Sequence, residues 1–294
     1  MTFPSAFAQC LAPVGATRIQ QAIARLQPLP AFYPAVQNAL ALIADPLAPD
    51  SQVQQMICSN EALAHRILAM ANFAYFSMDR EVRTISLAVT LLGRERVSTL
   101  LWRFLAEELL QMLSGHDRGA HRIRETSLAT AAAAHSIAER LLRSDKEEIR
   151  LAAFLHNVGD LVLLTQFRSS YEEMSRLAGE IPRKEAEKVV FCMEPSRVGS
   201  ELLEAWSFPP FFPTIVAHHA DPWSLHFAAA PAVAIVLVHT ARRLVEAWGA
   251  GCRADEVARS FSARLLSTLQ VNRQFLADLY VELPGEIERY PRLS

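Results

Sequence analysis

Along most of the chain the apolar residues recur three and four positions apart, which places them on one face of a helix, and no run alternates residue by residue as a half-buried strand would. The first half predicts short helices with tight links. Thr17 N-caps a helix to Leu26; Tyr33–Ala44 carries Val36, Leu40 and Ile43 at helical spacing and stops at Asp45-Pro46; Asp50 caps a helix to Cys58. Asn60 caps Glu61–Ala74, whose stripe is Leu63, Ile67, Leu68 and Ala71. Gly93 separates Thr84–Leu92 from Arg94–Leu113 as a C-cap. A polar break at His116–Gly119 precedes a long helix, Arg122–Arg143, with small residues at Ala129–Ala134 for close packing.

The second half continues in the same manner. Ile149–Phe167 reads as one apolar helix, followed by Tyr171–Ala178, Arg183 to about Met193, and Ser196–Trp206, which ends at Phe208-Pro209-Pro210. Pro213 starts a short helix through His218 and His219; Ala229–Trp248, Ala254–Leu269 and Asn272–Val281 follow, and the tail Leu283–Ser294 holds Pro284 and Pro291. The result is an all-α chain of about a dozen helices, without internal repeats or low-complexity segments.

Ile149–Phe167 is the stretch where chemistry would sit, because His156 and Asn157 stand side by side in an apolar segment rich in Ala, Leu and Val. A histidine beside a carboxylate suits a divalent metal, since imidazole and carboxylate are both good ligands and the pair can bridge two ions. Here the second residue is an amide. Its oxygen carries no formal charge, so it offsets much less of the cost of desolvating a cation and does not bridge.

Composition narrows the picture. With 294 residues, 51% of them hydrophobic and only 10 glycines, the chain can build a sizeable core and is not disordered. A formal net charge of −2 with both signs interspersed argues against a dedicated nucleic-acid or polybasic membrane protein. Cys10, Cys58, Cys192 and Cys252 are scattered without C-x-x-C spacing and read as thiols in a reducing cytosol. There is no secretory leader pattern, and the richest apolar stretch, Phe227–Val238, is broken by Pro231 and too short to span a bilayer. A soluble, cytoplasmic protein is the expectation. The common phosphate-loop, dinucleotide, nucleophile-elbow and H-E-x-x-H motifs are absent.

Six pieces in order carry a resemblance: Leu29-Pro30; Leu68–Phe76, LAMANFAYF; Ile85–Gly93, ISLAVTLLG; Phe154–Leu164; Val198-Gly199 ahead of Trp206; and His218-His219-Ala220-Asp221. Together they cover roughly Leu29 to Val245, and the chain resembles the HDOD proteins, bacterial relatives of the HD phosphohydrolase superfamily. The resemblance implies an N-terminal helical subdomain packed on an HD-like bundle. The corresponding division is residues 1–28 as an N-terminal segment, 29–115 as the first helical part, 116–250 as the HD-like part and 251–294 as C-terminal helices and tail.

The resemblance also implies where the metal ligands of an active relative would fall. Those positions are Thr126, His156, Asn157 and, three residues after His239, Arg242, so one ligand of four remains. A guanidinium is donor-only and always charged. Two unit charges about 4 Å apart at an effective dielectric near 20 interact by roughly 4 kcal/mol, twice that for a divalent ion, which outweighs what His156 alone supplies. The lysine that often follows His-Asp in active relatives is replaced by Asp160.

The function implied is therefore regulatory and catalytically silent, exerted through protein partners in bacterial signalling, with no catalytic residue, metal, cofactor, nucleic acid or membrane involved. The alternative is a metal-dependent phosphohydrolase acting on a nucleotide or phosphorylated small molecule. The vacated pocket, formed by His156, Asp160, His218, His219, His239 and Arg242, is a candidate for an anionic small ligand, because Arg suits bidentate phosphate recognition. Against it stand plainer readings: a hydrogen-bonded core histidine at 156, a helix-end pair at His218 and His219, and a salt bridge from Arg242 to an acid such as Asp160. Arg94, Arg96 and Arg103 interleave with Glu95, Glu107 and Glu108 as a solvated face, and His135 with Glu139 reads as a surface or interface contact.

Overall fold

The computed structural model describes residues 13–26, 33–74, 82–223 and 231–289. They form sixteen helices and, among the described residues, one isolated β-bridge, Val14 with Phe191. No helix among them is long and apolar enough to cross a membrane. Several expectations lie outside the described residues: Leu29-Pro30, the end of the Leu68–Phe76 run, the start of the Ala229–Trp248 helix, Cys10, and the last residues of the tail.

The chain divides into two compact units. The smaller, residues 28–109, holds α2 (Tyr33–Ala44), α3 (Asp50–Cys58), α4 (Glu61–Ala74) and most of α5 (Ile85–Ser114). Its core takes most of the predicted stripe, with Val36, Leu40, Leu63, Ile67 and Ala71 buried and joined by Val53 and Ile57 of α3, whereas Ile43 and Leu68 are only half-buried. Asn60 Oδ1 accepts from Leu63 N at 3.0 Å, capping α4 as expected. Gly93, at φ 75° and ψ 162°, breaks α5 into two pieces, a conformation that a side chain would strain. Asp50 is the first helical residue rather than the cap. Its carboxylate instead takes Arg94 Nε at 2.8 Å, while the same guanidinium donates to Asp45 O and Ala48 O, so Arg94 clamps the α2–α3 turn instead of lying on a solvated face.

The larger unit contains α1 (Ala16–Arg25) and the chain from Leu110 onward: α6 (Arg118–Arg140), α7 (Lys146–Leu155), α8 (Val158–Gln166), α9 (Arg168–Leu177), α10 (Arg183–Val190), α11 (Pro195–Ala205), α12 (Phe211–His218), α13 (Ala232–Gly249), α14 (Ala254–Ser260), α15 (Ala263–Leu269) and α16 (Arg273–Arg289). Helix α6 is central, packing against α7, α13 and α16, and residues 129–138 on it are buried without exception. Ala-rich sequence permits this, since small side chains let three neighbours approach.

Four helix boundaries differ from expectation for identifiable reasons. Thr17 lies inside α1, whose cap position is Gly15. Helix α6 begins four residues early because Asp117 caps it, accepting from Ala120 N at 2.9 Å. Ala254–Leu269 is split where buried Phe261 turns inward and Ser262 caps α15. Helix α16 runs through Pro284, because burial of Leu276, Leu279 and Leu283 outweighs the one rung a proline forfeits.

Candidate functional site

The expected single helix Ile149–Phe167 is two helices, α7 and α8, with His156 and Asn157 at the junction. The cause is packing. Gly159 presses against α11 so closely that a Cβ there would lie 1.8 Å from Pro195 O and 2.7 Å from Gly199 N. A straight helix would carry α8 away from this crossing, so the chain turns at Asn157 (φ −98°, ψ 12°). The turn leaves His156 pointing inward, 1% exposed.

His156 Nδ1 lies 2.6 Å from Ala153 O. A carbonyl only accepts, so the proton sits on Nδ1 and Nε2 carries a bare lone pair; that Nε2 is buried and has no hydrogen-bond partner among the described residues. His219, at the end of α12, is held in the same way, with Nδ1 2.8 Å from Val216 O, and its ring stands edge-on to His156 with centroids 5.1 Å apart. His239 on α13 donates from Nδ1 to His219 O at 2.8 Å. Arg242, one turn further along α13, lies close enough to depress the basicity of all three imidazoles.

Burial is the larger cause: it pushes His156 down to about 3 against the pull of its carbonyl bond, with Arg242 lowering it further. His219 is held well below the usual histidine range by burial first, then by His156 and Arg242. The site is thus a pair of neutral imidazoles beside a permanent cation. Arg242 Nε comes within 3.1 Å of Glu246 Oε1, although it is buried and not aligned for a hydrogen bond.

The other residues singled out in the sequence, Asp160 and His218 of the expected pocket, Thr126 of the ligand positions and His135 of the expected surface contact, are engaged elsewhere. Asp160 accepts from Tyr171 Oη at 2.9 Å and from Arg183, joining α8 to α9 and α10, so the counter-charge of Arg242 is Glu246 rather than Asp160. The side chain at position 160 leaves α8 on the face turned toward those helices. His218 sits in the fields of Arg197 and Asp221. Thr126 Oγ1 donates to Arg122 O on its own helix at 3.0 Å. His135 faces Glu147 at 3.4 Å rather than Glu139, which is taken by Lys146 at 2.7 Å.

A divalent ion of the kind an active HD site holds does not fit this donor set. Among the described residues no three His, Cys, Asp or Glu side chains converge as a ligand group. Among the described residues no carboxylate acts on His156 to offset a cation's charge, and Arg242 opposes it. What the arrangement can do is offer lone pairs at buried imidazoles next to guanidinium donors. Ser127 Oγ, fully buried on α6 without a partner, is a further polar group that sequence reading missed, having no spacing signal to mark it.

Comparison with known proteins agrees with the fold. An HDOD domain protein with unknown function from Geobacter sulfurreducens superposes with TM-score 0.61 at 20% identity, over 95% of this chain and 98% of that one. A candidate phosphohydrolase from Shewanella amazonensis SB2B gives 0.63 at 20% identity, covering 92% and 95%. A candidate signal transduction protein from Marinobacter aquaeolei VT8 gives 0.66 at 19% identity, covering 92% of this chain and 62% of that one. An uncharacterized protein from Treponema pallidum (strain Nichols) is 24% identical over 211 residues, 70% of this chain; the match spans only 40% of that relative. The HDOD domain model matches residues 29–222, and with the two-imidazole junction and helical architecture in place, the chain belongs to the HDOD domain family.

Proposed function

We propose that this chain is a cytoplasmic, catalytically silent HDOD regulator that works through contact with protein partners in bacterial signalling. One observation carries the reading: Arg242 stands in the field of two buried neutral imidazoles where a hydrolytic relative would gather carboxylates and a cation. Among the described residues the pocket offers no anionic ligand set of the kind that holds a water-activating metal. The lone pair at His156 Nε2 also repels a fully ionised anion, so any small ligand here must bring a hydrogen of its own toward that nitrogen while Arg242 takes an acceptor.

The phosphohydrolase reading has one feature in its favour. A metal-ligating histidine commonly donates its other N–H to a carbonyl, and His156 and His219 both do. Turnover of a nucleotide and phosphomonoester panel with added Mn²⁺, Fe²⁺ or Mg²⁺ separates the two. The regulatory reading expects none above background; metal-dependent turnover abolished by His156→Ala overturns it.

A further inference from the structure

All three imidazoles of the histidine site are committed in the same way. His156, His219 and His239 each spend Nδ1 on a backbone carbonyl, Ala153 O at 2.6 Å, Val216 O at 2.8 Å and His219 O at 2.8 Å. A neutral imidazole has one donor and one acceptor, so with Nδ1 protonated every Nε2 is an acceptor. The Nε2 of His156 is buried and without a hydrogen-bond partner among the described residues. Hydroxyls buried on the neighbouring helices satisfy themselves: Thr130 on α6 and Thr240 on α13 each donate to the carbonyl four residues back, at 2.8 and 2.7 Å. A ring pinned at Nδ1 cannot turn to do the same, and a buried acceptor left unmet is the exception in folded chains.

Arg242 supplies the opposite chemistry, since a guanidinium only donates, and it acts on all three rings. Its charge is answered loosely. Glu246 Oε1 lies 3.1 Å from Nε without hydrogen-bond alignment, Oε2 accepts from Nη2 at 3.5 Å, and the Glu246 side chain is 53% exposed. Arg242 keeps 26% of its side chain exposed, whereas His219 and His156 are 3% and 1% exposed. Donors therefore stand at the outer side of the site and acceptors at the inner side.

We infer that this site receives a small anion that carries its own O–H, of which hydrogen phosphate is the simplest, and rejects an anion that has none, such as sulfate. A cation is opposed by Arg242. An alcohol satisfies an imidazole but leaves the guanidinium as it stands, and a fully ionised anion answers the guanidinium but sets its lone pairs against those of Nε2. An anion with its own O–H does both. The proton at issue is the ligand's, because burial lowers all three histidines and keeps them neutral, with Arg242 acting in the same direction; at His239 Arg243 adds to this and Asp221, held by Lys184 at 3.1 Å, opposes it. The inference rests on the reading of the site as metal-free, since an ion at His156 would occupy the lone pair that the ligand's proton needs.

Isothermal titration calorimetry on the full chain tests this at constant ionic strength, with and without EDTA, using inorganic phosphate, sulfate and methyl phosphate. Inorganic phosphate keeps a proton across the neutral range and should bind at both about pH 8 and about pH 6.5, whereas sulfate should bind at neither. Methyl phosphate loses its last proton near pH 6, so its affinity should rise by about tenfold or more from the higher pH to the lower. Glu246→Gln, a change at an exposed side chain, should tighten phosphate binding by about threefold by freeing Arg242, and Arg242→Met should abolish it. Sulfate binding equal to phosphate, methyl phosphate binding that ignores pH, or phosphate binding unchanged in Arg242→Met would each overturn the proposal. No phosphate binding with or without EDTA overturns it alone; binding that EDTA removes shows that a metal holds the anion and overturns the regulatory reading as well.

Discussion

Asn72 and His156 are both polar residues set into apolar helical sequence, one in each unit, and they end differently. Asn72 uses its whole amide: Oδ1 accepts from Val82 N at 2.7 Å, and Nδ2 donates to Val82 O at 2.9 Å and Leu68 O at 3.0 Å. His156 uses one nitrogen and leaves the other buried and bare. The first is saturated and holds the backbone at Val82 to α4, which is a structural task. The second carries an unmet acceptor that a purely structural histidine would have matched. Satisfaction of hydrogen bonds, rather than burial or motif membership, distinguishes the scaffold from the candidate site.

The largest effect that would sharpen this contrast comes from the crossing that makes the junction. Gly159→Ala puts a methyl carbon 1.8 Å from Pro195 O, which requires α8 and α11 to separate. A loss on the order of 4 kcal/mol or outright failure to fold is expected by denaturant unfolding; wild-type stability would show that the helices do not meet there. Next is acid sensitivity. His156 is held neutral in the folded state, at about 3 against 6.5 when unfolded, so its contribution is complete above pH 6.5 and is lost as pH falls toward 3. Stability should drop by about 1.4 kcal/mol per pH unit in that window for His156, with buried His219 steepening the loss in the same direction, and His156→Gln should flatten the slope by one proton. An unchanged slope would mean that the ring is not buried neutral.

Asn72→Ala tests the saturated partner in the comparison. Removing a bidentate amide from Val82 should lower stability by about 2 kcal/mol with no change in the acid slope. A loss under about 0.5 kcal/mol would place the clamp outside the native fold's needs. Smallest is Arg242→Met. Stability should change by less than about 1 kcal/mol, since the Glu246 pair is partly solvated. The midpoint of acid unfolding should move down in pH nevertheless, because without the cation the folded-state imidazoles are less depressed and the window over which stability is lost shortens.

Much of this was readable in the residues. The stripe of Val36, Leu63 and Ile67, the cap at Asn60 and the break at Gly93 depend on spacing within one segment, which a sequence displays. The break between α7 and α8 was not, because its cause is contact between Gly159 and Gly199, forty residues apart. The same limit applies at the site. His156, His219, His239 and Arg242 were all singled out, and the structure couples them, but which acid answers Arg242 depended on the direction in which position 160 leaves its helix.

The central claim is that the histidine junction is not a metal site, and metal content tests it most directly. Elemental analysis of protein purified without chelator, alongside the Thr126→His, Asn157→Asp, Arg242→Asp variant, gives the readout. The account predicts no stoichiometric iron, manganese or zinc in the parent. The variant, with a full ligand set restored, should bind Mn²⁺ or Zn²⁺ and gain about 2.7 kcal/mol of stability at a hundredfold excess over Kd. One equivalent of metal in the parent that disappears in His156→Ala would contradict the account.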